Sequence, residues 1–350
     1  MKKNDYDFVM EELAEKNYKV TNGCALVTGM ECPRKDNLLK DMIGFSSRIK
    51  HATVLISVDE YYSFELLEKT HHGDFDLKNV NIIEIKSSMF PFSIASDIKF
   101  SELPTILGEL LTSCSNFTPE EKAIIQDTID RYCCSNYERL KKKEITDINI
   151  FDELLKLFEN EGNKSLITSV LKSLSKSCYQ NKPLNENIFE SKKLTVLNIN
   201  SRKIRCAKMI VDMLLAMLIH LKPKFPNVTL DVYVVDIDNQ NFSPSGPIRT
   251  IISQSKYLNI YFTGFSQNYY SPGTLIGDAF EEFEEKYFFL PTPESRKAVF
   301  DKLQSEYEFS NEEMMLDYFY LWIPFEYQRE ESRPAFNNYG PAGYYMSDLN

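Results

Sequence analysis

Three short stretches of this 350-residue chain carry residue types that could handle a phosphate group. The first is "GMECPRKD", Gly29 to Asp36. It has the length of the phosphate-cradling pattern G-x-x-x-x-G-K-[ST] and keeps the lysine, Lys35. In that pattern backbone N–H groups face the phosphate and the second glycine lets the chain curl close. The lysine reaches the β- and γ-phosphates, and the final hydroxyl binds Mg²⁺. Here Arg34 replaces the second glycine and Asp36 replaces the hydroxyl residue. Arg34 brings a Cβ and a long side chain where a glycine's freedom is normally used. Asp36 could ligate Mg²⁺ but would repel phosphate, and Pro33 removes a backbone donor. Taken alone, the segment reads as an ordinary strand-to-helix loop.

The second stretch is "VYVVDID", an apolar run ending at Asp236. A carboxylate at such a strand end can hold a metal-bound water. Ile237 follows, where a water-activating Glu would be needed. If the strand continues, Asp238 faces the opposite side and is a poor substitute. The third stretch, "YFTGFSQN", ends in Ser266, Gln267 and Asn268. Polar residues at a strand end lie where α/β sheets bind ligands.

These stretches need strands to present them. Apolar runs predict strands at "CALVTG" (24–29), "ATVLISV" (52–58), "VNIIEIK" (80–86), "KLTVLNI" (193–199), "VTLDVYVVDID" (228–238) and "YLNIYFTGF" (257–265), with "EEKYFFLPT" a short edge strand. Helical patterns lie between them, including 202–222, "IRTIISQSK" and a helix opened by Pro293. This alternation predicts a mainly parallel sheet flanked by helices. Residues 101–189 break it. They carry apolar residues at helical spacing and no convincing strand, so an all-helical insertion is expected. Thr118-Pro119-Glu120-Glu121 is a capping-box start within it. The expected division is an α/β core over 1–100 and 190–307, the insertion over 101–189, and an aromatic, acidic C-terminal extension over 308–350.

Composition narrows the function classes. The chain is 43% hydrophobic and 26% charged, a balance able to bury a sizeable core. Net charge is −11, which argues against a surface coated for nucleic acid but leaves room for a local basic patch. Such patches are "RLKKK" (139–143), at a helix end that favours cations anyway, and Arg202, Lys203, Arg205 and Lys208, which could contact DNA phosphates. The seven cysteines form no C-x-x-C pair and read as small buried residues in a reducing compartment. His71, His72 and Asp74 read as a surface loop rather than a metal site. No segment is long and apolar enough to predict a membrane span, and no signal peptide opens the chain, so a cytoplasmic location is expected.

In order and character the segments resemble the HerA/FtsK clan of ring-forming P-loop ATPases, especially the conjugative ATPases of type IV secretion and HerA-like translocases. The resemblance runs from about residue 20 to 305 through "GMECPRKD", "MFPFSI" (89–94), the helices of 101–178, "LNINS" (197–201), "VYVVDID" and "YFTGFSQN". It implies a RecA-like P-loop NTPase fold with a nucleotide site at Gly29, Arg34, Lys35, Asp36, Asp236 and Gln267. It also implies that the chemistry is degraded in three places: the loop, Ile237, and the cation before the glutamine strand. At that last place relatives often have Arg-Lys and this chain has Ser255-Lys256, with Arg249 upstream. Phosphate cradling, water activation and transition-state charge are all required for hydrolysis.

The leading expectation is therefore a pseudo-ATPase serving as a structural or regulatory subunit of a DNA transfer, processing or anti-phage defence assembly. It would have protein partners and no catalytic residues. No cofactor or metal is expected, with ATP and Mg²⁺ the weaker possibility. The alternatives are a divergent ring ATPase that moves DNA and a DNA-binding module without ATP chemistry. The inactive reading further expects a pocket filled by the protein itself, with the Arg34 guanidinium paired to Asp36 or Asp236.

Overall fold

Residues 23–29, 33–58, 62–68, 77–85, 99–113, 117–145, 147–160, 166–177, 186–200, 207–244, 246–268, 270, 273–289, 301 and 320–322 are described by the computed structural model. Their apolar runs form eight strands: β1 (Cys24–Gly29), β2 (Ala52–Val58), β3 (Val80–Ile85), β4 (Leu194–Ile199), β5 (Leu230–Val235), β6 (Ile260–Phe265), β7 (Glu285–Phe289) and β8 (Tyr320–Trp322). The order across the sheet is β3-β4-β2-β5-β6-β1-β7-β8, with every neighbouring pair parallel. β2, β4 and β5 are buried at every residue. This explains why they read as unbroken apolar runs rather than alternating ones, since both faces of a parallel sheet are covered.

Among the described residues ten α-helices accompany the strands: α1 (Pro33–Arg48), α2 (Phe64–Glu68), α3 (Leu103–Ser113), α4 (Pro119–Ser135), α5 (Tyr137–Lys141), α6 (Asp147–Asn160), α7 (Leu166–Ser177), α8 (Ala207–Leu221), α9 (Pro247–Leu258) and α10 (Leu275–Glu281). On one sheet face Val27, Leu55, Val196, Tyr233 and Phe265 pack with Leu38, Leu39, Met42 and Ile43 of α1 and Leu67 of α2. On the other, Leu26, Val54, Ile56, Val232 and Phe262 share a core with α8, α9 and α10. The helices α3 to α7 bury Leu107, Ile129, Phe151 and Phe158 in that same core. The helical segment therefore has no separate centre. The expected cap is present: Thr118 Oγ1 accepts from Glu121 N at 3.2 Å, and Glu121 Oε2 accepts from Thr118 N at 2.8 Å.

The structure corrects several sequence expectations. β7 lies between β1 and β8, so it is not an edge strand. β8, from within the C-terminal extension, takes that place. The strand expected from residue 257 starts at Ile260, because α9 runs on to Leu258 and Asn259 ends it in the left-handed region with φ 55°. The strand expected to reach Asp238 stops at Val235. Asp236 adopts φ 59°, and Ile237–Asn239 forms one 3-10 turn. Asn and Asp tolerate this conformation better than other residues with a Cβ. The Pro293 helix, apart from helical Asp301, and residues 89–94 lie outside the described residues.

Candidate functional site

All strands being parallel, their C-terminal ends share one edge of the sheet. β1 ends there at Gly29, whose φ of 118° favours glycine. The chain re-enters at Pro33, the first residue of α1, where a missing N–H costs the helix nothing. Lys35 thus stands in the first turn of α1 and is only 6% exposed. Its Nζ donates to the carbonyl oxygens of Gly29 at 3.1 Å and Ser266 at 2.6 Å. The ammonium joins the ends of β1 and β6, neighbours already held by Ser266 N donating to Val27 O at 2.8 Å. The expected filling of this pocket by Arg34 falls on side chains outside the described residues, as does Asp36.

The end of β5 is the second part of the site. Asp236 Oδ2 accepts from Asn239 Nδ2 at 2.8 Å within the turn. Ile237 is fully buried. It packs so closely on β6 that a Cβ added to Gly264 would lie 2.5 Å from Ile237 Cδ1. The residue after the strand's aspartate thus belongs to the core. Asp238 does not follow the alternation of an extended strand, because the turn redirects it. Its Oδ2 accepts from Gln267 N at 3.0 Å, Asn268 N at 3.2 Å and Asn268 Nδ2 at 3.4 Å. Burial raises the Asp238 carboxyl above the ordinary range and the charge of Asp236 adds to this, while bonds from Ser266, Gln267 and Asn268 oppose it. Its Oδ1 is buried without a partner among the described residues. Gln267 contributes its backbone to Asp238 and leaves its side chain exposed.

Lys35, Asp236, Asp238 and Gln267 thus share one sheet edge. Asn198, in the "LNINS" segment at the end of β4, braces it by bonding both Tyr62 N, at 3.1 Å, and Tyr62 O, at 2.9 Å. Arg249 is paired with Glu282 and Lys256 with Glu284. Lys208 is exposed on α8, and Arg202, Lys203 and Arg205 lie outside the described residues. In the 139–143 cluster, Arg139 pairs with Glu153 at 3.2 Å. Cys24 and Cys133 are buried free thiols, each pushed up to about 12 mainly by that burial. His71, His72 and Asp74 fall outside the described residues, among which no group of three metal-ligating side chains occurs. No helix among them is long and apolar enough to cross a membrane.

No protein-family model matches the sequence, and no curated protein matches it. Solved structures do. VirB4 of Thermoanaerobacter pseudethanolicus aligns at a TM-score of 0.55 and 13% identity, over 85% of this chain and 84% of that one. Plasmid coupling protein TrwB in complex with ADP and Mg²⁺ gives 0.52 at 10% identity, over 81% and 74%. This is the RecA-like P-loop NTPase fold. It is the fold shared with VirB4 and TrwB, as the order of the segments predicted. Within this fold the start of α1 and the ends of β1, β5 and β6 form a shared edge, which carries Gly29, Lys35, Asp236 and Gln267.

Sequence reading missed the part played by Asp238 and by the Ser266 carbonyl. The turn-forming run Asp236-Ile237-Asp238-Asn239 was the available signal for the first. A backbone carbonyl leaves no sequence signal.

Proposed function

We propose that this chain is a P-loop-fold protein that does not hydrolyse ATP. It serves as a structural or regulatory subunit, bound to other protein chains, in a cytoplasmic assembly for DNA transfer, processing or anti-phage defence. The observation that carries the reading is the burial of Ile237. Hydrolysis needs a polar side chain, a carboxylate or an amide, that orients the attacking water, and after the strand's aspartate the chain sends an apolar side chain into the core. The residues fit a Mg²⁺-nucleotide only in part. Lys35 supplies a cation beside Gly29 and Asp236 supplies a carboxylate, but Asp238 is committed to the amides of Gln267 and Asn268. Likeness of fold to TrwB and VirB4 supports the DNA-transfer setting. Exposed Lys208, with Arg202, Lys203 and Arg205 before it in sequence, is the DNA-contact candidate.

Phosphate release from ATP and Mg²⁺ by the purified chain tests the proposal. Release no greater than that of Lys35→Ala is expected; Mg²⁺-dependent turnover lost in Lys35→Ala overturns it. A second reading has one observation in its favour. The desolvated Asp238 carboxyl, at the same sheet edge as Lys35, has the raised pKa of a general base. Turnover abolished by Asp238→Asn would establish that reading. Co-purification of the tagged chain from its host tests the partner claim.

A further inference from the structure

The two ends of the sheet differ. At one end β8 contributes three residues, whereas β3 closes the other with six, every one in register with β4. Along its outer side β3 has no strand partner among the described residues. Edge strands resist association by being short, by bulging, or by carrying proline or lysine. β3, "VNIIEI", has an unbroken ladder, no proline, no lysine and a single charge, Glu84. Its apolar Val80, Ile82 and Ile83 are only half-buried.

The exposed apolar surface continues onto α2. Val80 and Ile82 pack against the core that Leu67 of α2 shares with Leu194 and Val196 of β4. Phe64 and Leu66 of the same helix are 47% and 38% exposed. Two of the three large apolar side chains of this short helix thus face outward. Apolar surface that adjoins an uncapped edge marks a contact site.

We propose that β3 pairs antiparallel with β3 of a second copy of this chain, joining the two sheets across a two-fold axis perpendicular to them. Such an axis keeps each face continuous, so opposed residues must come from the same face. Val80 and Ile82 lie on the α2 face, and Ile83 and Ile85 on the other. An axis through Asn81 meets the condition. It sets Asn81 against Asn81 of the second copy, Val80 against Ile82 of the second copy, and Ile82 against Val80 of the second copy. In line with these, Lys78, just ahead of the strand, comes opposite Glu84 of the second copy. Lys78 and Glu84 each hold a contact already, and an ammonium and a carboxylate each serve more than one bond. Apolar pairs and opposite charges both favour such a ladder. The strand is complementary to itself, as an isologous contact requires, whereas an unrelated extended segment would match its backbone alone. The axis also brings both copies of α2 to one face of the joined sheet. Lys35, Asp236 and Asp238 take no part, so the proposal stands apart from the nucleotide reading.

Sedimentation velocity of the full-length chain over a micromolar concentration series tests it, and a dimer is expected. Asn81→Lys, at an exposed position on the axis, sets two cations face to face and is expected to weaken the dimer about tenfold or more. Glu144→Lys, exposed on the helical segment, should leave it near wild type. Matching melting temperatures confirm folding, and Asn81→Asp serves if Asn81→Lys does not fold. Directly opposed antiparallel residues have Cα atoms about 4.5–5.5 Å apart, within disulfide reach. Oxidised Asn81→Cys should therefore form a covalent dimer faster than Glu144→Cys. A monomeric wild type, an oligomer that Asn81→Lys leaves intact, or equal cross-linking of the two cysteine variants overturns the proposal.

Discussion

Lys35 Nζ lies 2.6 Å from the carbonyl oxygen of Ser266, a residue 231 positions further along the chain. A lysine in a phosphate loop has one obvious partner, the phosphate. Here the protein provides two carbonyls for it, and the ammonium pins the end of β1 to the end of β6.

Lys35→Met keeps the aliphatic stem and removes both charge-assisted bonds. It is expected to lower stability by about 1.5–3 kcal/mol, read from urea unfolding. A loss near zero would mean that the ammonium's bonds are replaced by water at no cost.

Ile237→Glu restores the residue type that water activation needs, yet hydrolysis should not appear. The carboxylate would enter the core beside Gly264 and Phe283. The expected effect is a loss of about 3 kcal/mol or more, read by chemical denaturation alongside a phosphate-release assay. A stable variant that hydrolyses ATP would show that this position faces the site.

Gly264 and Ile237 should be energetically coupled. Gly264→Ala drives a methyl into Ile237 Cδ1 and is expected to cost about 1–3 kcal/mol. Ile237→Val deletes that carbon and alone costs about 0.5–1.5 kcal/mol. The double variant should be more stable than the sum of the two losses predicts, measured by a double-mutant cycle. Simple additivity would refute the close approach.

Asp212, on α8, is fully buried. Burial raises its carboxyl well above the usual range, against the opposing influence of Lys208 and Asn241. The folded state therefore holds this proton more tightly than the unfolded chain, whose value is near 3.8. Below that value both states are protonated. As pH rises through it, the unfolded chain ionises first and stability falls until the folded carboxyl ionises too. Asp212→Asn removes this slope. Its melting temperature should exceed that of the wild type near neutrality, and the gap should close as pH is lowered to about 4. A gap independent of pH would exclude ionisation as its cause.

Seven of the eight strands announced themselves as apolar runs, because a parallel sheet covered on both faces leaves no alternation to obscure. Thr118 and Glu121 marked the start of α4 for an equally local reason. β8 escaped notice because Tyr320–Trp322 is too short for any period and sits among other aromatics. The position of β7 was hidden for a different reason, since strand order depends on distant pairings rather than on local pattern. At the site, Ile237 could be read as the wrong residue for hydrolysis, but not as a core residue. That required the left-handed backbone at Asp236, which also overturned the strand-alternation argument against Asp238.

The place of β1 between β6 and β7 has a consequence for biosynthesis. Among the described residues, the strand partners of β1 are β6 (260–265) and β7 (285–289). During synthesis β1 leaves the ribosome more than 200 residues before β6, while β2, β3, β4 and β5 can already assemble around α8. Pairings of such long sequence separation form late. The Lys35 bridge between β1 and β6 therefore forms only when β6 arrives, and a nascent chain stalled before residue 260 presents the strand of its own candidate site as an unpaired, aggregation-prone segment.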